Sequence, residues 1–220
     1  MGREAKYLAD TSITDELNYQ GFTMELKEEK SSLRIRADRI KKARCKNLIA
    51  VLESPGNIKN VGSVIRNVNA LGVEKVYVVD TLGLLPGSWE EMRHRRNLMK
   101  ISASAIRWSF VKTFRSTSAC LEYLENKQFD SVVTSPHAKG HKNMVLHEGD
   151  YTQKRLAVWF GNEKRGISDL AVALSKFCIN IPMCGIIESL NLATTTGIVL
   201  YEVTKQRRAY VRGKMHKKTG

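Results

Sequence analysis

Residues 179–201 read INIPMCGIIESLNLATTTGIVLY, and this stretch decides the fold. The apolar run at 177–181 predicts a short strand. Pro182 lacks a backbone donor, and Gly185 accepts backbone shapes that other residues resist. An open loop follows, with amides and carbonyls available to a ligand. Ser189 or Asn191 can cap the next helix and leave free N–H groups at its start. Ala193, Thr194, Thr195, Thr196 and Gly197 are all small, so another backbone can pack closely there. Read alone, the stretch is the strand-loop-helix unit of an α/β domain.

The rest of the chain repeats that alternation. Residues 48–52 (LIAVL) form a continuous apolar run, as buried parallel strands show. A helix is predicted over residues 58–71, with Val61, Val64, Ile65 and Val68 facing the core and Gly72 at its end. Further strands are expected at 75–79, 110–113, 130–134 and 156–160. Helices are expected at 89–99, 117–127, from Ser168 to residue 175, and at 189–208. Residues 102–105 read as a tight turn and short helix, and 135–151 as a polar loop. Strands alternating with helices imply a parallel sheet covered on both faces. The expected division is an N-terminal extension and basic helix (1–46), one α/β domain (47–209) and a mobile basic tail (210–220).

The composition narrows the function. A length of 220 residues with 42% hydrophobic content supports one real core. No apolar run reaches membrane-span length, and the first residues carry neither a signal-peptide core nor a myristoylation pattern. The net charge of +14 points to a polyanion, nucleic acid first and an acidic membrane second. No basic amphipathic helix with Trp and Phe on one face favours the membrane. Cys45, Cys120, Cys178 and Cys184 form no CxxC, so reduced thiols in a cytoplasmic protein are expected. His137, His141 and His147 share a loop without a fourth ligand at suitable spacing, so no metal is expected. Residues 31–46 hold seven Lys or Arg against one Asp, with Leu33, Ile40 and Ala43 on one helical face. The reading is a helix with that stripe packed down and a basic face toward RNA.

Two more segments carry chemistry. Asn60 and Arg66 stand six residues apart on the first predicted helix of the domain. An arginine offers a planar fork of donors suited to phosphate or carboxylate. It lies between Ile65 and Val68, so it is not an obvious surface residue, although snorkelling from a core helix is the plainer reading. Residues 160–167, FGNEKRGI, follow an apolar strand directly. Two glycines flanking charges at a strand's carboxyl end mark a ligand loop, or a plain turn. Glu163 can orient a substrate or pair with Arg66. No GxGxxG, Walker or GxSxG sequence is present, which removes the commonest dinucleotide, nucleotide and hydrolase fingerprints.

Taken together, the Asn60–Arg66 pair, FGNEKRGI and IPMCGIIESLN resemble, in the same order, the SpoU/TrmH branch of the SPOUT RNA methyltransferases. The resemblance spans residues 48–208. It implies a C-terminal deep trefoil knot, an exception to the rule against knots. It also implies S-adenosylmethionine bound in a bent shape by Thr134, Ser135, Gly161, Ile181, Met183, Ser189 and Leu190, largely through backbone amides. The implied reaction is methyl transfer to an RNA ribose 2′-hydroxyl by a homodimer without a metal. Arg66 would act on that hydroxyl, as base or as phosphate clamp, with Asn60, Glu163 and Asn191 holding the geometry. Arg34, Arg36 and Arg39, then Arg93, Arg95 and Arg96, then Lys205, Arg207 and Arg208 would offer three basic patches to RNA. Where relatives have Ser and Ala after SLN, this chain has Ala193 and three threonines, still small. The short N-terminal extension leans toward transfer RNA over ribosomal RNA. The alternatives are the same reaction on ribosomal RNA, or a catalytically idle RNA-binding relative.

Overall fold

The computed structural model describes residues 32–216, so the expected extension over residues 1–30 and the last four residues lie outside it. Seven strands form one parallel sheet: β1 (Cys45–Glu53), β2 (Val73–Val79), β3 (Phe110–Phe114), β4 (Asp130–Thr134), β5 (Asn143–Val145), β6 (Leu156–Phe160) and β7 (Cys178–Asn180). Their spatial order is β3-β2-β1-β6-β4-β7-β5, with every neighbouring pair parallel. The helices are α1 (Ser32–Ala43), α2 (Ile58–Ala70), α3 (Trp89–His94), α4 (Arg96–Ile101), α5 (Thr117–Asn126), α6 (Asp169–Ala173) and α7 (Leu192–His216).

Alternation along β1 divides the core in two. Leu48, Ala50 and Leu52 join the buried faces of α2 (Val61, Val64, Ile65, Val68) and α7 (Val199, Leu200, Val203). Ile49 and Val51 join Cys120, Leu121 and Leu124 of α5 and Ala171 of α6 on the other side. All five β1 residues are fully buried because helices cover both faces, and that is why the run reads as continuously apolar. Side-chain caps place the helix starts. Asn57 accepts from the Lys59 N–H, Ser116 from Ala119 and Ser168 from Ala171.

The predicted strands at 130–134 and 156–160 match β4 and β6. Four local expectations change. The helix expected over 89–99 breaks at Arg95, whose ψ of 112° is extended, so α3 and α4 are separate. The polar loop 135–151 contains β5, a three-residue edge strand too short to show a pattern. The last helix starts at Leu192, with Asn191 accepting from the Ala193 N–H, and runs on through residue 216, into the expected tail. In α1, Ile40 and Ile35 are exposed, so the expected packed stripe does not form at Ile40; the Leu33 and Ala43 side chains lie outside what is described.

Candidate active site

β6 lies between β1 and β4, where the chain, having built the sheet outward through β2 and β3, switches to the other side. In open parallel sheets this switch is where loops at the carboxyl ends part and leave a crevice. A cleft of about 550 Å³ sits there, walled by the loops after β4, β6 and β7. That volume lies within the roughly 300–1,000 Å³ of ordinary small-molecule sites. Thr134, Ser135, Gly161, Ile181, Met183, Ser189 and Leu190 all line it, so the structure gathers the seven residues expected to hold a cofactor. Glu163 and Asn191 line it as well.

The loop after β6 owes its shape to Gly161 and Asn162. A Cβ at Gly161 would stand 2.3 Å from the backbone of Gly166 and Ile167, closer than any side chain can come. Asn162 and Gly166 exchange backbone hydrogen bonds of 2.9 and 2.8 Å across the turn. The Asn162 Oδ1 accepts from the N–H groups of Lys164 and Arg165, both at 2.9 Å. Its Nδ2 donates to the Ser54 carbonyl at 2.6 Å, which fastens this loop to the one after β1.

A polar network stands at the cleft mouth. The Glu163 Oε1 accepts from Asn60 Nδ2 at 2.6 Å, and its Oε2 from the Gly56 N–H at 2.7 Å. Asn191 Nδ2 donates to Asn60 Oδ1 at 3.2 Å. Burial alone would raise the Glu163 carboxyl, but hydrogen bonds from Asn60, Gly56 and its own N–H outweigh it and hold the pKa below the usual value. Asn60, from the first motif, thus bridges the second motif and the third.

Arg66 stands apart, and two expectations about it change. It is exposed rather than embedded, and both Glu163 oxygens are taken by Asn60 and Gly56, so no Glu163–Arg66 pair forms. Six residues advance a helix by about 600°, which puts Arg66 roughly 120° around α2 from Asn60 and about 9 Å along it. Asn67, one heptad from Asn60, shares its face instead and donates to the Ala193 carbonyl at 2.7 Å. The small-residue face at Ala193–Gly197 therefore meets α2 of the same chain, with Gly197 beside Asn67.

The basic residues differ in availability. Arg34, Arg36 and Arg39 lie exposed on α1, and Arg95 and Arg96 are exposed between α3 and the start of α4. Arg93 is half-buried, its guanidinium 4.5 Å from the Trp89 ring centre. Lys205 pairs with Glu202 at 3.1 Å. Arg207 donates to the carbonyls of Tyr151 and Gln153 at 2.8 and 2.7 Å, and Arg208 to the Leu71 carbonyl at 3.0 Å. These last two guanidiniums bolt α7 to the loop before β6 and to the end of α2, a use that the KQRR sequence did not reveal.

Sequence reasoning also missed Glu53, a carboxyl buried to 4% exposure at the end of β1. The available signal was a charged residue closing the apolar run 48–52. Among the described residues no group of three His, Cys, Asp or Glu is placed to hold a metal, and no helix is long and apolar enough to cross a membrane.

A doubly covered parallel sheet with a loop-walled crevice at its carboxyl ends defines an α/β protein with a small-molecule site at the switch point. Comparison with known sequences makes the class specific: the chain belongs to the SpoU rRNA Methylase family, which it matches over residues 47–201. It is 26% identical over 182 residues to the tRNA (guanosine(18)-2′-O)-methyltransferase of Thermus thermophilus, covering 83% of this chain and 87% of that one. With the Escherichia coli K12 protein of the same name it shares 30% identity over 161 residues, 73% of this chain and 64% of the relative. Among solved structures it resembles the A. aeolicus TrmH/SpoU tRNA modifying enzyme, with a TM-score of 0.66 and 27% identity over 81% of this chain and 85% of that one.

Proposed function

We propose that this protein transfers a methyl group from S-adenosylmethionine to a ribose 2′-hydroxyl of RNA, with transfer RNA preferred over ribosomal RNA. The observation that carries the reading is the meeting of three sequence segments at one cleft. Asn60, Glu163 and Asn191 form a single network at its mouth, and the seven residues expected to hold the cofactor line its walls. Family membership and the names of similar relatives agree, several being tRNA (guanosine(18)-2′-O)-methyltransferases and another a 23S rRNA (guanosine-2′-O-)-methyltransferase from Coxiella burnetii. A structure with the same fold, AviRb from Streptomyces viridochromogenes, was solved with AdoMet bound, at 24% identity and a TM-score of 0.62.

The cleft suits such a ligand. Its loops offer small residues at Thr134, Ser135 and Gly161, and apolar surface at Ile181, Met183 and Leu190. When bound, S-adenosylmethionine supplies a methyl group on a sulfonium that leaves as a neutral thioether. The chain's own task is to aim the ribose oxygen and manage its proton. A guanidinium is a donor and not a base, so Arg66 serves best by binding the phosphate beside the target ribose and stabilising the developing alkoxide, while the hydroxyl proton leaves to that phosphate or to water as the methyl is transferred. Asn60, Glu163 and Asn191 hold the attacking oxygen in line, and positioning of this kind is worth several orders of magnitude in rate.

A homodimer belongs to the same reading. Ile186, Ile187, Ile198 and Tyr201 are large, apolar and exposed, and the last two line a second hollow of about 430 Å³ together with Leu146, Ile181 and Pro182. Such a patch supports a covering partner, and a second copy of this chain would bring its own Arg66 to the cleft. The trefoil knot is proposed with it, supported by the insertion of β6 between β1 and β4 and by the return of α7 onto α2. The four unpaired thiols suit a reducing cytoplasm.

The test is transfer of tritiated methyl from S-adenosylmethionine into bulk transfer RNA and ribosomal RNA, followed by mapping of ribose methylation. Label in a 2′-O-methyl nucleoside of transfer RNA is expected. Label confined to bases, or none from folded protein, would sink the reading.

A further inference from the structure

We propose that Glu53 is a positioning residue, the buried anchor that holds the 161–168 loop against the end of β1 and so sets the affinity of the cleft. This rests on reading the cleft as an S-adenosylmethionine site. Glu53 is 4% exposed, and three hydrogen bonds fill its carboxyl. Its Oε1 accepts from the Thr117 and Ser168 hydroxyls, both at 2.6 Å, and its Oε2 from the Ser168 N–H at 2.7 Å. One group therefore joins the last residue of β1, the first of α5 and the cap of α6.

The next residues continue the attachment. Ser54 holds φ at +48°, a left-handed shape that residues with a Cβ rarely adopt. In that shape its N–H reaches the Val79 carbonyl at 2.8 Å, and its own carbonyl receives Asn162 Nδ2 at 2.6 Å. Two residues on, the Gly56 N–H reaches Glu163 at 2.7 Å. Residues 53, 54 and 56 thus grip residues 168, 162 and 163 in turn. Strained backbone persists where its surroundings over-determine it. Glu53 is the buried end of that grip, and a loop held at one end by Gly161 and at the other by Ser168 keeps its place as a wall of the cleft. None of these hydrogen bonds reaches the cleft interior, so Glu53 acts through the loop.

Two substitutions separate this role from simple core satisfaction. In Glu53→Gln the amide oxygen can accept from the Ser168 N–H, while its NH₂ donates to the two hydroxyls, which accept as readily as they donate. Glu53→Ala leaves all three donors, on the half-buried Thr117 and Ser168, without this acceptor. Calorimetric titration with S-adenosylmethionine should give Glu53→Gln an affinity within about 3-fold of wild type. Glu53→Ala, still melting cooperatively, should bind roughly 10- to 100-fold more weakly, as loss of a supporting shell does. Its KM for S-adenosylmethionine should rise in parallel, with kcat at saturation little changed. Folded Glu53→Ala that binds with wild-type affinity overturns the proposal, because a purely structural carboxyl would lower the melting temperature alone. If Glu53→Ala does not fold, Ser168→Ala takes its place, with weakening of roughly 10-fold expected and unchanged affinity overturning the proposal. A wild-type protein that binds no S-adenosylmethionine overturns both this inference and the reading beneath it, whereas wild-type binding matched by the variant overturns this inference alone.

Discussion

Asn60 and Glu163 are 103 residues apart in the chain, yet the Asn60 Nδ2 lies 2.6 Å from the Glu163 Oε1. Asn60 sits in the first turn of α2, and Glu163 at the tip of the loop after β6. Because β1 and β6 are parallel neighbours, their carboxyl ends emerge side by side, and the segments that follow each strand meet without any long excursion. Asn191, just before α7, joins them from the third strand end. The sheet therefore brings three short sequences into one place, and the side chains only have to be of the right kind.

Removing the bridge should uncouple those loops. Asn60→Ala is expected to lower methyl-transfer kcat/KM roughly 10- to 100-fold, the scale of one lost hydrogen bond to a charged acceptor. The melting temperature should move little, since Asn60 is at the protein surface and Glu163 can turn to water. Steady-state kinetics beside a thermal melt checks this; unchanged kinetics would show that the network is ornamental.

Gly161→Ala tests the loop itself. The added methyl would meet the backbone of Gly166 and Ile167 at 2.3 Å, and backbone cannot step aside as a flexible side chain can. The turn must open, which breaks the paired Asn162–Gly166 hydrogen bonds. A stability loss of about 1–3 kcal/mol is expected, as for other overpacked sites, with no measurable binding of S-adenosylmethionine. Calorimetry and denaturant melts read the two effects separately.

The pH dependence of Glu163 has a definite sign. Its folded pKa is depressed below the ordinary value of 4.5, so the charged form is the one the fold favours. Its contribution to stability is then complete above the unfolded pKa and fades as the pH falls through the folded one. Melting temperatures of wild type and Glu163→Gln should differ at about pH 7 and converge as the pH falls below about 4. Curves that diverge on acidification would contradict the hydrogen-bonding pattern.

The basic residues should divide into two kinds. Arg207 donates to two backbone carbonyls, so Arg207→Ala is expected to lower stability by about 2–3 kcal/mol, the scale for hydrogen bonds from a charged donor. Arg95 and Arg96 are exposed, so their replacement by alanine should leave stability alone and reduce the salt dependence of RNA binding by about one counterion for each phosphate no longer held. Filter binding across a salt series, paired with urea melts, separates them.

What could be read in the sequence was whatever local pattern encodes. The apolar run at 156–160 (LAVWF) is an interior strand because both faces are covered, whereas 130–134 (DSVVT) shows only Val132 and Val133 as its buried apolar pair. The cleft-lining residues were legible only through a resemblance, since Thr134 or Leu190 carries no chemical signature. Two kinds of fact stayed hidden. Angular position on a helix was one: Asn60 and Arg66 are near in sequence but point about 120° apart, so the network includes one and excludes the other. Long-range pairing was the other: Glu53 looks like a strand terminus until Ser168 and Thr117 arrive 115 and 64 residues later. Arg207 and Arg208 looked like an RNA-binding ending for the same reason.

The exposed place of Arg66 leads to the sharpest prediction. Arg66 is exposed, points about 120° around α2 from Asn60 and makes no pair with Glu163, so in a dimer the guanidinium serving each cleft is expected to come from the other copy. Arg66→Ala alone should bind S-adenosylmethionine normally and lose at least about 100-fold in turnover. Gly161→Ala alone should be inactive because its cleft is blocked. Mixed and allowed to exchange, the two variants would form heterodimers with one intact cleft facing one intact Arg66. With random pairing, half the dimers are mixed and each has one good site, so about a quarter of wild-type activity should return. A guanidinium acting within its own chain leaves every site in the mixture defective, and no activity would return.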